Sequence, residues 1–281
     1  GLQVPSGASL TITAASTGSL TATGGYYAAG IGGGQNHTGG IIAISGGTVE
    51  ATGGDYGAGI GSGGYSAGGD ITISGGMVTA ARGVSSNKSD IGPGYDGADG
   101  TVTITGGSVY CESAGNEILP QPTNGIGDNV YLNTLTVGSP AITNAAITAG
   151  SIGGVSCNAV PNAAGGVYGI KDVKTDAAGI VYFYLPEAAA GQKVALTASG
   201  NTYAATYARS TSGLAQTLVL VAGNNGRNSG GDDWSSPVVT LPLPIQPPKT
   251  GEGAGAAWLL CMAGSIAVAF VVFNKKRQSA K

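Results

Sequence analysis

The sequence predicts an all-β protein that begins as a right-handed, three-sided parallel β-helix of about four coils. Its first part repeats with spacings of 29, 29 and 31 residues, in the range typical of solenoids. Each repeat contains three short runs of alternating apolar residues, which indicate strands, separated by glycine-rich turns. Residues 1–107 hold 31 of the 53 glycines, and each would cost about 1 kcal/mol relative to alanine inside a helix. A helical alternative is therefore excluded.

Three aligned passages, beginning at Ser19, Thr48 and Met77, define the repeat. Paired glycines between the runs allow the positive φ of sharp corners, and equivalent residues of successive coils should stack and fill the bore. A fourth unit, from Ser108 to about Val137, has an irregular middle and is expected to cap the helix. The stacked columns are predicted as Leu20, Val49, Val78 and Val109; Ile31, Ile60, Ile91 and Ile126; and Ile44, Ile73 and Ile104.

The repeat pattern, AGIGxG followed by ITIxGGxVxA, resembles glycine-rich repeats in large surface proteins of Gram-positive, often gut-dwelling, bacteria. Some of those proteins are described as carbohydrate-binding. The resemblance covers residues 1–137 and implies a β-helix on the cell surface, with host or dietary glycans as ligands.

The repeat ends at about residue 138, and residues 138–222 contain strand-like runs about ten residues apart with turn residues between them. This spacing predicts a small antiparallel β-sandwich. The run KTDAAGIVYFYLPE resembles a strand pair of transthyretin-like or carboxypeptidase-regulatory-like modules, and an Ig-like module is the other sandwich considered. Residues 223–249 are polar and then proline-rich, which predicts a disordered, extended linker.

Residues 248–281 resemble the LPxTG cell-wall sorting signal of Gram-positive surface proteins. Pro248, Lys249, Thr250 and Gly251 match the pentapeptide, whereas Pro247 stands where the family has leucine. The apolar run 254–273 is long enough for one transmembrane helix, and the basic tail after it is expected on the cytoplasmic side. The resemblance implies cleavage between Thr250 and Gly251 by a sortase and attachment to peptidoglycan. A permanent tail anchor is the alternative.

Charge argues against nucleic acid as a partner. Cleavage after Thr250 would remove Glu252 and four basic residues, so that 15 acidic and 12 basic residues become 14 and 8, a net charge of −6. An acidic ectodomain repels polyanions. The chain starts at Gly1 without a signal peptide, and we expect a mature or truncated product.

Four tyrosines fall at corresponding places of the repeat: Tyr27 with Tyr56, and Tyr65 with Tyr95. Exposed rings at coil spacing could stack on sugar faces, because an aromatic ring offers a flat apolar surface with a polar edge. The alternative is an internal or rim stack of rings that only stabilises the corners of the coils.

Asp90, Asp96 and Asp99 gather in one corner, where carboxylate oxygens beside glycine turns could bind calcium. Their spacing matches neither an EF-hand nor the nonapeptide calcium repeat, so ordinary Asp-Gly turns are the alternative. No other cofactor is predicted. Cys111 and Cys157 could pair, or both could be free buried thiols.

A non-enzymatic surface protein that binds carbohydrate, or serves as an adhesin or stalk, is the leading functional hypothesis. The alternative is a polysaccharide lyase or another glycan-degrading enzyme on the same scaffold. Such lyases need clustered acids and a strong base, and residues 1–110 contain only Arg82 and Lys88 as cations. The chain's one histidine, His37, lies in a corner loop and is expected to be a solvated turn residue.

Overall fold

A computed structural model describes residues 1–86, 88–113, 118–157, 168–187, 191–207 and 214–221. These residues lie within one compact unit, Gly1–Asn225. The described chain is all-β, as the sequence predicts, and begins with a parallel β-solenoid of about four turns. The linker and the sorting signal lie outside the described residues.

The solenoid turns follow one another with parallel pairing throughout. The first turn holds β1 (Leu2–Gln3), β2 (Ser9–Ile12) and β3 (Ser19–Thr23); the second β4 (Ile31–Gly32) and β5 (Ile41–Thr52); the third β6 (Ile60–Gly61) and β7 (Asp70–Ala81); the fourth β8 (Ile91–Gly92) and β9 (Thr101–Cys111). One sheet of the solenoid has the order β1-β4-β6-β8 and the other β2-β5-β7-β9, with β3 also paired to β5.

Three strand runs per turn are present as predicted, although two of them join into one long strand. In the pairing of β5 with β7 and of β7 with β9, the register shifts at the Gly-Gly corner that separates the two runs. Ile60 and Ile73 are both fully buried, which confirms the predicted bore. The register pairs Leu20 with Val49, Val49 with Val78 and Val78 with Val109, and likewise Ile44 with Ile73 and Ile73 with Ile104.

The end of the solenoid differs from the alignment. Ile91 is followed in its column by Ile118, whose bridge is supported by the hydrogen bond from Leu119 N to Ile91 O (3.0 Å). The expected residue, Ile126, is instead 60% exposed. The run expected as the last strand of the repeat, Val130–Val137, pairs with strands of a seven-stranded sheet that follows the solenoid and is called the second sheet below. It does so because Leu135 and Val137 are buried in that sheet's core.

The second sheet is mixed but mainly antiparallel, with only β10 and β16 parallel. Its order is β12-β11-β14-β15-β16-β10-β13. Val130 of β10 and Tyr184 of β13 join the solenoid core, so this sheet covers the end of the bore. The strands are β10 (Val130–Val137), β11 (Ile147–Ile152), β12 (Val155–Ser156), β13 (Ile180–Pro186), β14 (Lys193–Ala198), β15 (Asn201–Thr206) and β16 (Leu214–Leu220).

The segment 168–174 ties the second sheet to the Gly-Gly corners of the solenoid. These corner amides point outward, where they would otherwise need water, and the segment supplies one acceptor per turn. Tyr168 also donates its hydroxyl to Gly107 O (2.6 Å). The corner bonds run from Gly47 N to Asp172 Oδ2 (3.1 Å), from Gly76 N to Lys171 O (2.7 Å) and from Gly107 N to Gly169 O (2.8 Å).

Asp172→Asn is expected to lower the free energy of unfolding by about 1 kcal/mol at pH 7, because the carboxylate accepts a charge-assisted bond at a partly exposed site. Burial alone would raise the pKa of Asp172, but the hydrogen bonds from Lys171 and the Gly47 amide outweigh burial and lower it. A lowered folded pKa stabilises the protein above the unfolded pKa of about 3.9, and this stabilisation is lost as the pH falls through the folded value.

Urea unfolding of both proteins at pH 7 and near pH 2.5 checks this prediction. The difference between them should shrink at the lower pH, whereas the exposed control Asp99→Asn should match the original chain at both. An equal difference at both pH values would contradict a role for the charge.

Candidate functional site

The predicted tyrosines lie in loops on either side of the two-residue strands β4, β6 and β8. Because these strands are so short, the loop before one strand meets the loop after the strand of the next turn. Gly64 N donates to Tyr27 O (2.9 Å), and Tyr95 N donates to Tyr56 O (2.9 Å). These backbone hydrogen bonds therefore hold the loops that carry the four tyrosines next to each other.

The structure brings all four predicted tyrosines into one cluster. The rings of Tyr27 and Tyr56 stack with centroids 4.8 Å apart and planes 16° apart. Tyr95 meets Tyr56 edge-on at 5.3 Å and Tyr65 at 5.4 Å. These pairs have the geometry of favourable aromatic contacts.

Tyr26 is a fifth member that the sequence reasoning missed. Its ring lies 4.8 Å from Tyr27 and 5.4 Å from Tyr56, edge-on in both cases. The prediction compared tyrosines at corresponding places of the repeat and so passed over Tyr26, although the YY pair was the available signal. Tyr26, Tyr27, Tyr56, Tyr65 and Tyr95 are called the tyrosine cluster below.

Tyr65 stands in a backbone conformation that rarely holds an aromatic residue. Its φ is 62°, in the left-handed region, and the equivalent positions of the neighbouring turns hold Asn36 (55°) and Asp96 (50°). Asparagine and aspartate are common there, whereas a bulky residue is an outlier that costs about 1 kcal/mol or more. The Tyr65 side chain is 47% exposed, so its burial offers little compensation.

The cluster presents neutral phenols to solvent. A hydrogen bond with Tyr56 raises the pKa of Tyr26, and partial burial raises that of Tyr65. Both hydroxyls therefore keep their protons at physiological pH and can donate hydrogen bonds. Tyr26 is 60% exposed, whereas Tyr27, Tyr56 and Tyr95 are half-buried and support the outer rings.

The three aspartates considered as a calcium site have different surroundings in the structure. Asp90 is fully buried, and its Oδ1 accepts hydrogen bonds from Arg82 N (2.8 Å) and the Ser113 hydroxyl. Asp96 and Asp99 are exposed instead. In the ranges that the structure describes, no three His, Cys, Asp or Glu side chains are placed to hold a metal ion.

Cys111 and Cys157 are free and buried, so the disulfide alternative is wrong. Cys111 belongs to the solenoid core and Cys157 to the second core. Burial raises the pKa of Cys111 and raises that of Cys157 to about 11, so both thiols are protonated and unreactive at neutral pH. His37 is exposed, and its Nδ1 lies 2.6 Å from Gln35 O, as fits a turn residue.

The predicted sorting residues Pro248, Lys249, Thr250 and Gly251, together with the span 254–273, lie outside the described residues. Within the described ranges, no helix has the length and apolar character needed to cross a membrane.

Comparisons with known proteins return no matching family model, no matching curated protein and no matching solved structure. The geometry of the side chains therefore has to carry the functional proposal.

Proposed function

We propose that this chain is a non-enzymatic, cell-wall-anchored surface protein whose solenoid binds carbohydrate through the tyrosine cluster. The observation that carries the proposal is Tyr65, an exposed aromatic ring held in a conformation that favours Asn or Asp. Backbone strain that folding does not require points to a functional role.

The chemistry of the cluster suits a sugar. The C–H face of a sugar ring is apolar and packs on an aromatic face, while its hydroxyls exchange hydrogen bonds with neutral phenols. The cluster takes residues from three successive turns, which lie about 4.8 Å apart, so it extends over about 10 Å. That length exceeds one sugar ring and favours an oligosaccharide over a monosaccharide.

The rest of the chain fits a display role. We propose a right-handed, three-sided β-helix as the rigid platform, a sandwich-type module behind it, and an extended linker at 223–249. A sortase would join Thr250 to peptidoglycan, and the helix 254–273 would hold the precursor in the membrane. The resemblance of residues 248–281 to the sorting signal supports this localisation. An adhesin uses the same binding surface toward host or dietary glycans.

Tyr65→Asn is the sharpest test, because asparagine already occupies this position in the preceding turn and should fold at least as well. Loss of one aromatic contact worth about 0.5–1.5 kcal/mol predicts glycan binding that is weaker by roughly two- to thirteenfold. Titration calorimetry against neutral plant, mucin and microbial oligosaccharides measures the affinity, and urea unfolding confirms that stability is kept.

Tyr203→Phe provides a control, because Tyr203 is buried in the second core and should not affect glycan affinity. Unchanged binding by Tyr65→Asn would remove the cluster as the site. Unsaturated or shortened oligosaccharides in the reaction would favour the lyase alternative, and the absence of both binding and products would favour a stalk.

A further inference from the structure

A second surface of the solenoid is formed by the strand runs that follow the Gly-Gly corners. The register places Thr21, Glu50, Thr79 and Tyr110 side by side in one outward-facing column. Together with neighbouring side chains they form a shallow groove of about 300 Å³, called the acidic groove below. Its polar and aromatic lining consists of Thr21, Glu50, Thr52, Thr79, Tyr110 and Glu112.

The charge of this groove is one-sided. Glu50 and Glu112 are exposed, and none of the lining residues is basic. Glu50 Oε2 accepts only a long hydrogen bond from Thr21 Oγ1 (3.4 Å) within the described structure. Residues 1–113 as a whole carry seven acidic and two basic side chains. The groove is thus complementary to a cation and repels an anionic ligand.

Tyr110 gives the groove a fixed aromatic wall. Tyr110 is 38% exposed, and its ring lies 4.7 Å from the ring of Tyr182 at an angle of 37°. Tyr182 is held in turn, because its hydroxyl donates to Asp176 Oδ2 (3.0 Å). One side of the Tyr110 ring is therefore supported by the second sheet, and its exposed part faces the groove.

The strands beneath the middle of the groove disfavour one large class of cationic ligand. Extended peptides bind sheets by adding a strand to an open edge. Here β5 and β7 are interior strands whose backbone groups pair with a neighbour on both sides, and only β3 and β9, at the two ends of the groove, are outer strands. Between these ends the groove offers side chains alone, and its lining as a whole supplies two carboxylates, three threonine hydroxyls and an aromatic ring. A ligand that is rich in hydroxyls and carries a compact positive charge can pair with the carboxylates, the threonine hydroxyls and the aromatic ring.

We propose that the acidic groove binds amino sugars with a free ammonium group, such as units of an oligomer of glucosamine. The sugar ring packs on Tyr110, and its ammonium group donates charge-assisted hydrogen bonds to Glu112 or Glu50. The threonine hydroxyls pair with the sugar hydroxyls. This inference rests on the proposed carbohydrate binding and adds to it a second site with a charge preference.

The test compares a glucosamine hexamer with the N-acetylglucosamine hexamer by titration calorimetry on the same chain at about pH 6, where amines are protonated. The two probes differ in the charge of the nitrogen and in the acetyl group it carries, and the salt dependence separates the effect of charge from that of size. We expect the glucosamine hexamer to bind at least tenfold more tightly and to weaken as salt is raised. Glu50→Gln and Glu112→Gln should each reduce its affinity about fivefold, whereas the exposed control Asp99→Asn should not.

Equal affinity for the two hexamers, or unchanged affinity in both glutamine variants, would overturn the inference. Competition by oligolysine as strong as that by the glucosamine hexamer would also overturn it, since the groove would then recognise charge alone. Tyr65→Asn separates this site from the tyrosine cluster. If neutral glycans still bind in a Tyr65-dependent way while the hexamer test fails, only the amino-sugar inference falls.

Discussion

Replacing Gly61 by alanine is expected to lower the free energy of unfolding by about 4 kcal/mol or more, enough to unfold much of the solenoid. Gly61 has a φ of 135°, which side chains rarely adopt, and a Cβ there would lie 2.0 Å from Gly92 O of the next turn. That oxygen belongs to the backbone and cannot rotate away. The same column continues at Gly32 and Gly92, where a Cβ would lie 1.9 Å from Gly61 O and 2.0 Å from Leu119 O.

The matched control for this variant is Gly25→Ala. Gly25 has no positive φ, and nothing lies within 4 Å of the position its Cβ would take. Its stability should change by no more than about 0.5 kcal/mol. Urea unfolding followed by circular dichroism measures both variants. A Gly61→Ala protein as stable as Gly25→Ala would show that the turns do not stack as closely as described.

The interior turns could be predicted from sequence because each one packs on a copy of itself. Ile44, Ile73 and Ile104 occupy identical surroundings, so the repeat spacing alone aligned them correctly. The last turn has no further repeat packed on its outer side, so its residues need not match the repeat pattern. Its column residue, Ile118, lies in an irregular segment, while Ile126 sits in an NGIGD run that imitates the repeat and is exposed.

The candidate sites show the same contrast between positions that repeat from turn to turn and positions that do not. Two pairs of tyrosines in the cluster fall in corresponding loops of neighbouring turns, so four of its members could be predicted. The three aspartates are close in sequence, but Asp90 turns inward to bind the Arg82 amide while Asp96 and Asp99 turn outward. The acidic groove could not be seen in the sequence, since Glu50 and Tyr110 come from different turns and meet only through the register.

Thr250→Ala is expected to abolish attachment to the cell wall, an all-or-none effect on the fate of the chain. The sorting-signal resemblance assigns the Thr250 carbonyl to attack by the sortase cysteine, which breaks the Thr250–Gly251 bond, releases the chain from Gly251 onward with a free amine, and gives an acyl-enzyme. A cell-wall amine then attacks this acyl-enzyme and releases the cysteine. In the original protein, mass spectrometry after muramidase release should find Thr250 as the last residue, joined to a peptidoglycan peptide. The variant should stay in the membrane fraction with Lys281 present.

A threonine of the predicted linker supplies the control for this experiment. Thr240→Ala changes the same residue type ten positions earlier and should leave attachment intact. Release of the intact original chain, Lys281 included, by detergent alone would favour the permanent tail anchor and remove the sortase from the proposal.

Pro247 is the position at which residues 247–251 depart from the LPxTG pentapeptide. The sorting signal usually has leucine at this position, so Pro247→Leu restores the full pentapeptide. If the sortase binds that side chain, the anchored fraction of the variant should rise, because the leucine adds apolar contact area that the proline ring does not offer. An unchanged fraction would show that recognition begins at Pro248 and that the departure at Pro247 is tolerated by the enzyme.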